Sequence, residues 1–301
     1  NSFIRSGYRN SATTSYSSIV GGKYNLVSGN SYSNNTSSSF IGGGKYNIAL
    51  DGYDGSSAVV VGGTNNFAGG SYYSFSVVVG GNRNSATGGY SSVLGGNYNR
   101  AAGYQATIVG GAQNLAVGSL SFIGGGIGNY VSGQFTFVGG GKGNSTSSDY
   151  AAVAGGKQNT ASGPNSFIGG GQQNIAYGAF SMIGAGQYNI ASNRSFIGGG
   201  RANSATTGYA SIVCGNNNLA SGIFSFIGGG AGNFATTNSS TIVNGYKNKA
   251  YGYKSFIGNG KDNTSLGLYS SVLNGSGNTA SGIASSIIGG TGHTITGRNS
   301  V

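Results

Sequence analysis

The sequence predicts an all-β fold: a parallel β-solenoid (β-roll) of about 19 coils with a 15-residue period. Three observations predict it. The unit Ser166-Phe-Ile-Gly-Gly-Gly-Gln-Gln-Asn-Ile-Ala recurs along the whole 301-residue chain. The chain holds 63 glycines, about three times ordinary usage, without the strict every-third spacing of collagen. Four columns of the repeat are nearly invariant between copies, which is a mark of structural demand within one chain.

Copies align on an Asn, from Asn10, Asn25 and Asn47 to Asn263 and Asn278, with His293 in the same slot of a nineteenth copy. Successive anchors are 15 residues apart, except for early separations of 22, 19 and 18 and a single one of 14. The extra residues form polar, Gly-containing insertions near 29–38 and 50–57, as surface loops should. Residues 1–301 therefore read as a single repeat domain.

Each element of the coil follows from a column. Six before the anchor stands Ile or Val, as in Ile19, Ile108, Val153 and Ile212; eight before it stands Ser, Ala or Thr. Their spacing of two places both on one face of a strand. Three before the anchor stands Gly in every copy, including Gly22, Gly111, Gly171 and Gly230, which marks a tight turn needing a φ that other residues resist. The anchors themselves, among them Asn114, Asn174 and Asn233, read either as an amide ladder between coils or as turn residues tolerating left-handed φ. Two after the anchor, mostly Ala points inward, as in Ala49 and Ala176. Gly four after the anchor, in thirteen of nineteen copies, closes a second turn. One coil is then strand, turn, short strand, turn. Stacked at the ordinary strand spacing, nineteen such coils would span about 90 Å. Helix is excluded, because Gly this frequent costs up to about 1 kcal/mol at each position.

The opposite strand face, seven and five before the anchor, is coupled in size. Phe40, Phe122, Phe137, Phe167, Phe196, Phe226 and Phe256 each go with a Gly two residues on, whereas Ser18 goes with Val20, Ser92 with Leu94 and Thr107 with Val109. Nine before the anchor the same face adds aromatics such as Tyr90, Phe135, Phe180 and Phe224. An apolar face along the full length would be a large exposed patch, and parallel sheets are generally buried on both sides. These phenylalanines are therefore expected to pack between chains in a closed symmetric oligomer.

Composition excludes several chemistries. There is no Glu, and four acids stand against fifteen Lys plus Arg, for a net charge of +11. The only close carboxylate pair is Asp51 and Asp54 in an insertion, read as solvated loop acids and not as a glycosidase dyad. The single Cys214 and single His293 cannot make a zinc site, and Asp is too scarce for a calcium roll. Cys214 reads as a packed thiol, and His293 as a turn residue like Asn. Neither enzymatic activity nor a cofactor or metal is expected. No stretch reaches the roughly 18 apolar residues of a membrane span, so no membrane insertion is expected. Lys23, Lys45, Lys142, Lys157, Arg201 and Lys261 all lie two before the anchor and would form a broken basic stripe. The stripe protects edges from pairing, and also offers contacts to an anionic glycan such as lipopolysaccharide. Tyr24, Tyr46, Tyr98 and Tyr188 sit beside it and could stack on sugar rings. Nucleic acid is not expected, since the charges are sparse and no binding module is visible.

The unit Ser-Phe-Ile-Gly-Gly-Gly-x-x-Asn-x-Ala-x-Gly resembles the head repeats of YadA-type trimeric adhesins, and similar repeats of phage tail-fibre and other virion appendage proteins. The resemblance covers residues 2 to 299. It implies a left-handed roll, a homotrimer and a rod that binds host surfaces. The repeat here is longer than the usual head repeat, and richer in Phe and triple Gly, which favours a virion fibre. The expectation is an extracellular fibre shaft on a virion surface that contacts host polysaccharide. The alternatives are a bacterial autotransporter-type adhesin head on the cell surface and a glycan-cleaving tailspike.

Overall fold

The computed structural model describes residues 2–29, 38–52, 56–70 and 75–301. Most of the first insertion (Asn30 to Thr36) and Asp54 lie outside the described residues. The chain is all β, a parallel solenoid of about 19 turns with a period of about 15 residues. It divides into two compact units, 1–156 and 157–301.

Each turn has three sides. In the first unit, one side stacks short strands in parallel from Phe3–Ile4 and Ser18–Ile19 to Phe137–Val138 and Ala152–Val153. A second side stacks Ser11–Ala12 and Leu26–Gly29 through to Tyr130–Val131 and Ser145–Thr146. Between them runs a third side, one bridging residue per turn, as in Lys23 opposite Lys45 and Lys45 opposite Thr64. The second unit repeats the plan, with Phe167–Ile168 to Ser286–Ile287 on one side and Thr160–Ala161 to Thr294–Ile295 on another. Two paired strands per turn were expected; the bridging side is an addition, too short to show as a run in the sequence.

The interior is narrow and filled as the columns predict. Ile19, Ile108, Val153, Ile168 and Ile212 are fully buried, as are Ala49, Ala116, Ala176 and Ala220 opposite them. Each buried Ile or Val contributes about 1.5–3 kcal/mol of transfer free energy, which a short coil without helices needs. The small residue eight before the anchor is buried too, and its hydroxyl often closes the second turn. Ser121 Oγ donates to the Gly118 carbonyl at 2.6 Å, and Ser181 Oγ to that of Gly178 at 2.7 Å.

The anchor Asn is a ladder, with the backbone as its main partner. Asn174 is buried; its Nδ2 donates to the carbonyls of Gly170 at 3.0 Å and Gly186 at 2.8 Å. Asn114 and Asn233 repeat the pattern, their Oδ1 atoms accepting the backbone N–H of Asn129 and Asn248 at 3.0 Å. Direct amide-to-amide bonds are fewer, as from Asn114 Nδ2 to Asn99 Oδ1 at 3.1 Å. The left-handed residue is not the Asn but its predecessor, such as Gln113 (φ 57°) or Gln173 (φ 54°). That conformation turns the N–H backwards: Gln113 N–H donates to the Asn97 carbonyl of the preceding turn, whereas Leu115 N–H donates forwards to Asn129.

The two glycine columns serve different ends. Gly22, Gly111, Gly171 and Gly230 have φ between +86° and +92°, as the sequence demands. Gly118 in the second turn has no positive φ. It is required instead by close approach, because a Cβ there would lie 1.9 Å from the Gly133 carbonyl oxygen. The 14-residue copy drops this Gly slot: its second turn runs Ser192 to Ser195, and Met182 still pairs Phe196 in register.

Candidate functional site

With the interior closed, function falls to the outer faces. On the first-strand face of the second unit, Phe167, Met182, Phe196, Val213, Val243, Phe256 and Leu273 are exposed, and Phe226 is half-buried. Every turn there presents one apolar group. In the first unit Val61, Val79, Leu94 and Val109 are exposed on four successive turns. Phe40 and Phe122 are half-buried, and Phe122 stacks on the exposed Phe137 with centroids 5.6 Å apart and planes 4° apart.

The size coupling has a cause within the chain. A Cβ on Gly169 would lie 3.5 Å from Phe167 Cε1, and one on Gly139 3.4 Å from Phe137 Cε1. The ring leans over the Gly of its own turn, so a large residue at one position requires none at the other.

The aromatics nine before the anchor are not on that strand face. Tyr90, Phe135, Phe180 and Phe224 occupy the second corner, left-handed at φ 55–59° and exposed. Phe75 is different, opening the strand Phe75–Val78. Period-two counting failed here because the turn ends before the strand begins.

The six basic residues two before the anchor are all exposed and lie on the bridging side. Lys23 and Lys45 are adjacent across turns; Arg201 lies between Gln187 and Asn216, and Lys261 between Tyr246 and Ser276. Lys142 closes the first unit's column next to Ile127, and Lys157 opens the second unit's beside Gln172. Arg9 and Arg83, which the sequence did not single out, join them, and like Lys45 they lie over aromatic rings. Arg9 Cζ is 5.2 Å from the Tyr8 centroid, Lys45 Nζ 4.8 Å from Tyr46, and Arg83 Cζ 5.0 Å from Tyr98. Tyr24 stacks on Tyr46 at 5.0 Å. The available signal was a cation beside a ring in sequence, as in Arg9 with Tyr8 and Lys45 with Tyr46, or one repeat before it in the same column, as in Arg83 with Tyr98.

Two residues depart from their sequence reading. Cys214 is exposed, not packed, because its column lies at the outer corner after the first strand. Asp51 is buried, not a solvated loop acid, because the strand Ile48–Asp51 extends two residues further than its 15-residue counterparts. Its Oδ1 accepts a hydrogen bond from Ser39 Oγ, and its Oδ2 has no partner among the described residues. Burial pushes its carboxyl above the ordinary value, opposed by the Ser39 bond. His293 keeps the anchor's backbone role, its N–H donating to Asn278 Oδ1 at 2.9 Å.

Among the described residues no three His, Cys, Asp or Glu gather as a metal set, and no helix is long and apolar enough to cross a membrane. No protein-family model matches the chain, and no curated protein matches it.

Proposed function

We propose that the chain is a structural section of an extracellular fibre: a homotrimeric virion appendage that projects from the particle and contacts host surface polysaccharide. One observation carries the reading. The solenoid interior is filled within one chain, yet each turn of the second unit presents an apolar group on the same sheet face, exposed in every turn but that of the half-buried Phe226. Contiguous apolar surface of that kind is uncommon on monomers and is covered most economically by copies of the same surface around a closed axis. The YadA-like repeat supports three chains and an adhesive role. The exposed lysines on the bridging side support contact with anionic surface glycans, a contact that salt should weaken.

Sedimentation of the purified chain at micromolar concentration tests the assembly. A trimer is expected, and conversion to monomer by Phe226→Ser with Phe256→Ser, since Ser211 and Ser271 hold the same column. A monomeric wild-type chain overturns the reading.

A further inference from the structure

The second corner of the second unit carries a ridge that the self-association does not explain. Phe180, Arg194, Tyr209 and Phe224 hold it on four successive turns. Arg194 Cζ lies 5.8 Å from the Phe180 centroid and 5.5 Å from that of Tyr209. Tyr209 and Phe224 stack at 4.8 Å with planes 15° apart. Ser239 then interrupts the run, and the next turns bring Tyr253, Lys254 and Tyr269, with Lys254 Nζ 5.3 Å and 5.7 Å from the two rings.

The backbone does not ask for these side chains. All four left-handed residues from Phe180 to Phe224 are bulky, where Gly or Asn would be favoured. Ser239, Ala284 and Asn299 make the same corner, with the same backward bond to the preceding turn, at 2.8, 2.8 and 2.9 Å. The rings are also the most open of the large side chains nearby: Phe180 is 57% exposed and Phe224 59%. Beside Ser239, Phe224 has no ring neighbour on its far side.

Charge limits the ligand. Asp262, the one acid of the second unit, sits at the other corner, 4.0 Å from Lys261. The ridge is therefore cationic and unopposed. Its cations are four turns apart, about 19 Å at the ordinary strand spacing. A nucleic acid strand carries a phosphate about every 3.4 Å and would be poorly matched. A polymer with apolar ring faces and widely spaced carboxylates fits both features.

We infer that this ridge, Phe180–Arg194–Tyr209–Phe224 with Tyr253–Lys254–Tyr269, binds a carboxylated polysaccharide, its sugar faces on the open rings and its carboxylates on Arg194 and Lys254. The inference rests on the glycan-contact reading and moves the principal contact from the lysine side to this corner.

The test is calorimetric titration of the intact chain with a soluble glucuronate-containing polysaccharide, against dextran as the neutral polymer and duplex DNA as the phosphate polymer. Arg194→Gln with Lys254→Gln, and separately Phe224→Ser, are each expected to weaken glucuronate binding about tenfold. Arg100→Gln, at an exposed cation on the second side of the first unit, is expected to leave it nearly unchanged. Ser already occupies the Phe224 column at Ser239, and unchanged melting and sedimentation identify intact variants. Absence of glucuronate binding, equal binding to dextran, tighter binding to DNA, or ridge variants binding like wild type would each overturn the inference. Because sedimentation reads the trimer separately, failure of the ridge and failure of the fibre assembly are distinguishable.

Discussion

Asn174 Oδ1 accepts the backbone N–H of Asn189 at 3.0 Å, so a side chain of one turn holds the main chain of the next. The same amide donates to Gly170 and Gly186, which makes Asn174 a three-way tie between strand, turn and neighbouring coil.

Asn174→Ala leaves a buried N–H and two carbonyls without this partner, at a cost of about 3 kcal/mol. Repeat arrays open locally, so the loss should appear first in hydrogen exchange. The Asn189 amide is expected to exchange about 100-fold faster, with distant turns unaffected. Unchanged protection at Asn189 would remove the ladder from the account of stability.

Neighbouring glycines should differ sharply. Gly171 has φ +91°, and a Cβ there would meet the Gly186 carbonyl oxygen at 2.0 Å; a Cβ on Gly170 meets nothing within 4 Å. Gly171→Ala should cost about 2 kcal/mol or more, and Gly170→Ala less than about 0.5 kcal/mol. Urea unfolding of the two variants side by side measures the difference.

Asp51 gives the first unit a pH dependence. Its folded-state pKa is raised above 3.8 by burial, so the folded state holds the proton more tightly than the unfolded one. No penalty applies below the unfolded value; one develops as pH rises through the raised value and is full above it. Stability should therefore fall as pH rises across that window, and Asp51→Asn should flatten the profile. Urea midpoints taken across the acid range check the sign, and a wild-type midpoint rising there would contradict it.

Cys214 should react as a surface thiol. Maleimide labelling in native buffer is expected to go to completion without denaturant. Labelling that begins only in urea would restore the packed thiol.

Much of the fold was legible because the columns repeat. Ile168, Ala176, Gly171 and Asn174 each recur in nearly every copy, so one reading of a coil served for all. The Asn ladder was half-read: sequence showed a fixed amide but not that its acceptor would face the next backbone N–H. The corner was misread because Phe180 and Phe167 both lie at odd spacing from the anchor, and only the backbone shows that the former belongs to a left-handed turn. Asp51 was misread because the two-residue extension of its strand, which buries it against Ser39 of the same turn, has no counterpart in the 15-residue copies. The outer-face cations Arg194 and Lys254 were missed because they stand in the column nine before the anchor, which was read only for its aromatic residues as part of the strand face.

The register of these anchors also bears on how such chains change length. Removing residues 219–233 would join Asn218 to Phe234 and present the Asn218 acceptor to Asn248, a partner equivalent to the one lost. Excision or duplication of whole units is then nearly silent to the coil on either side, whereas a residue gained or lost within a turn must be absorbed at a corner, as in the 14-residue copy, where the Asn203 N–H still meets Asn189 Oδ1 at 3.0 Å. Reach becomes a quantity that unequal recombination can adjust in single-coil steps.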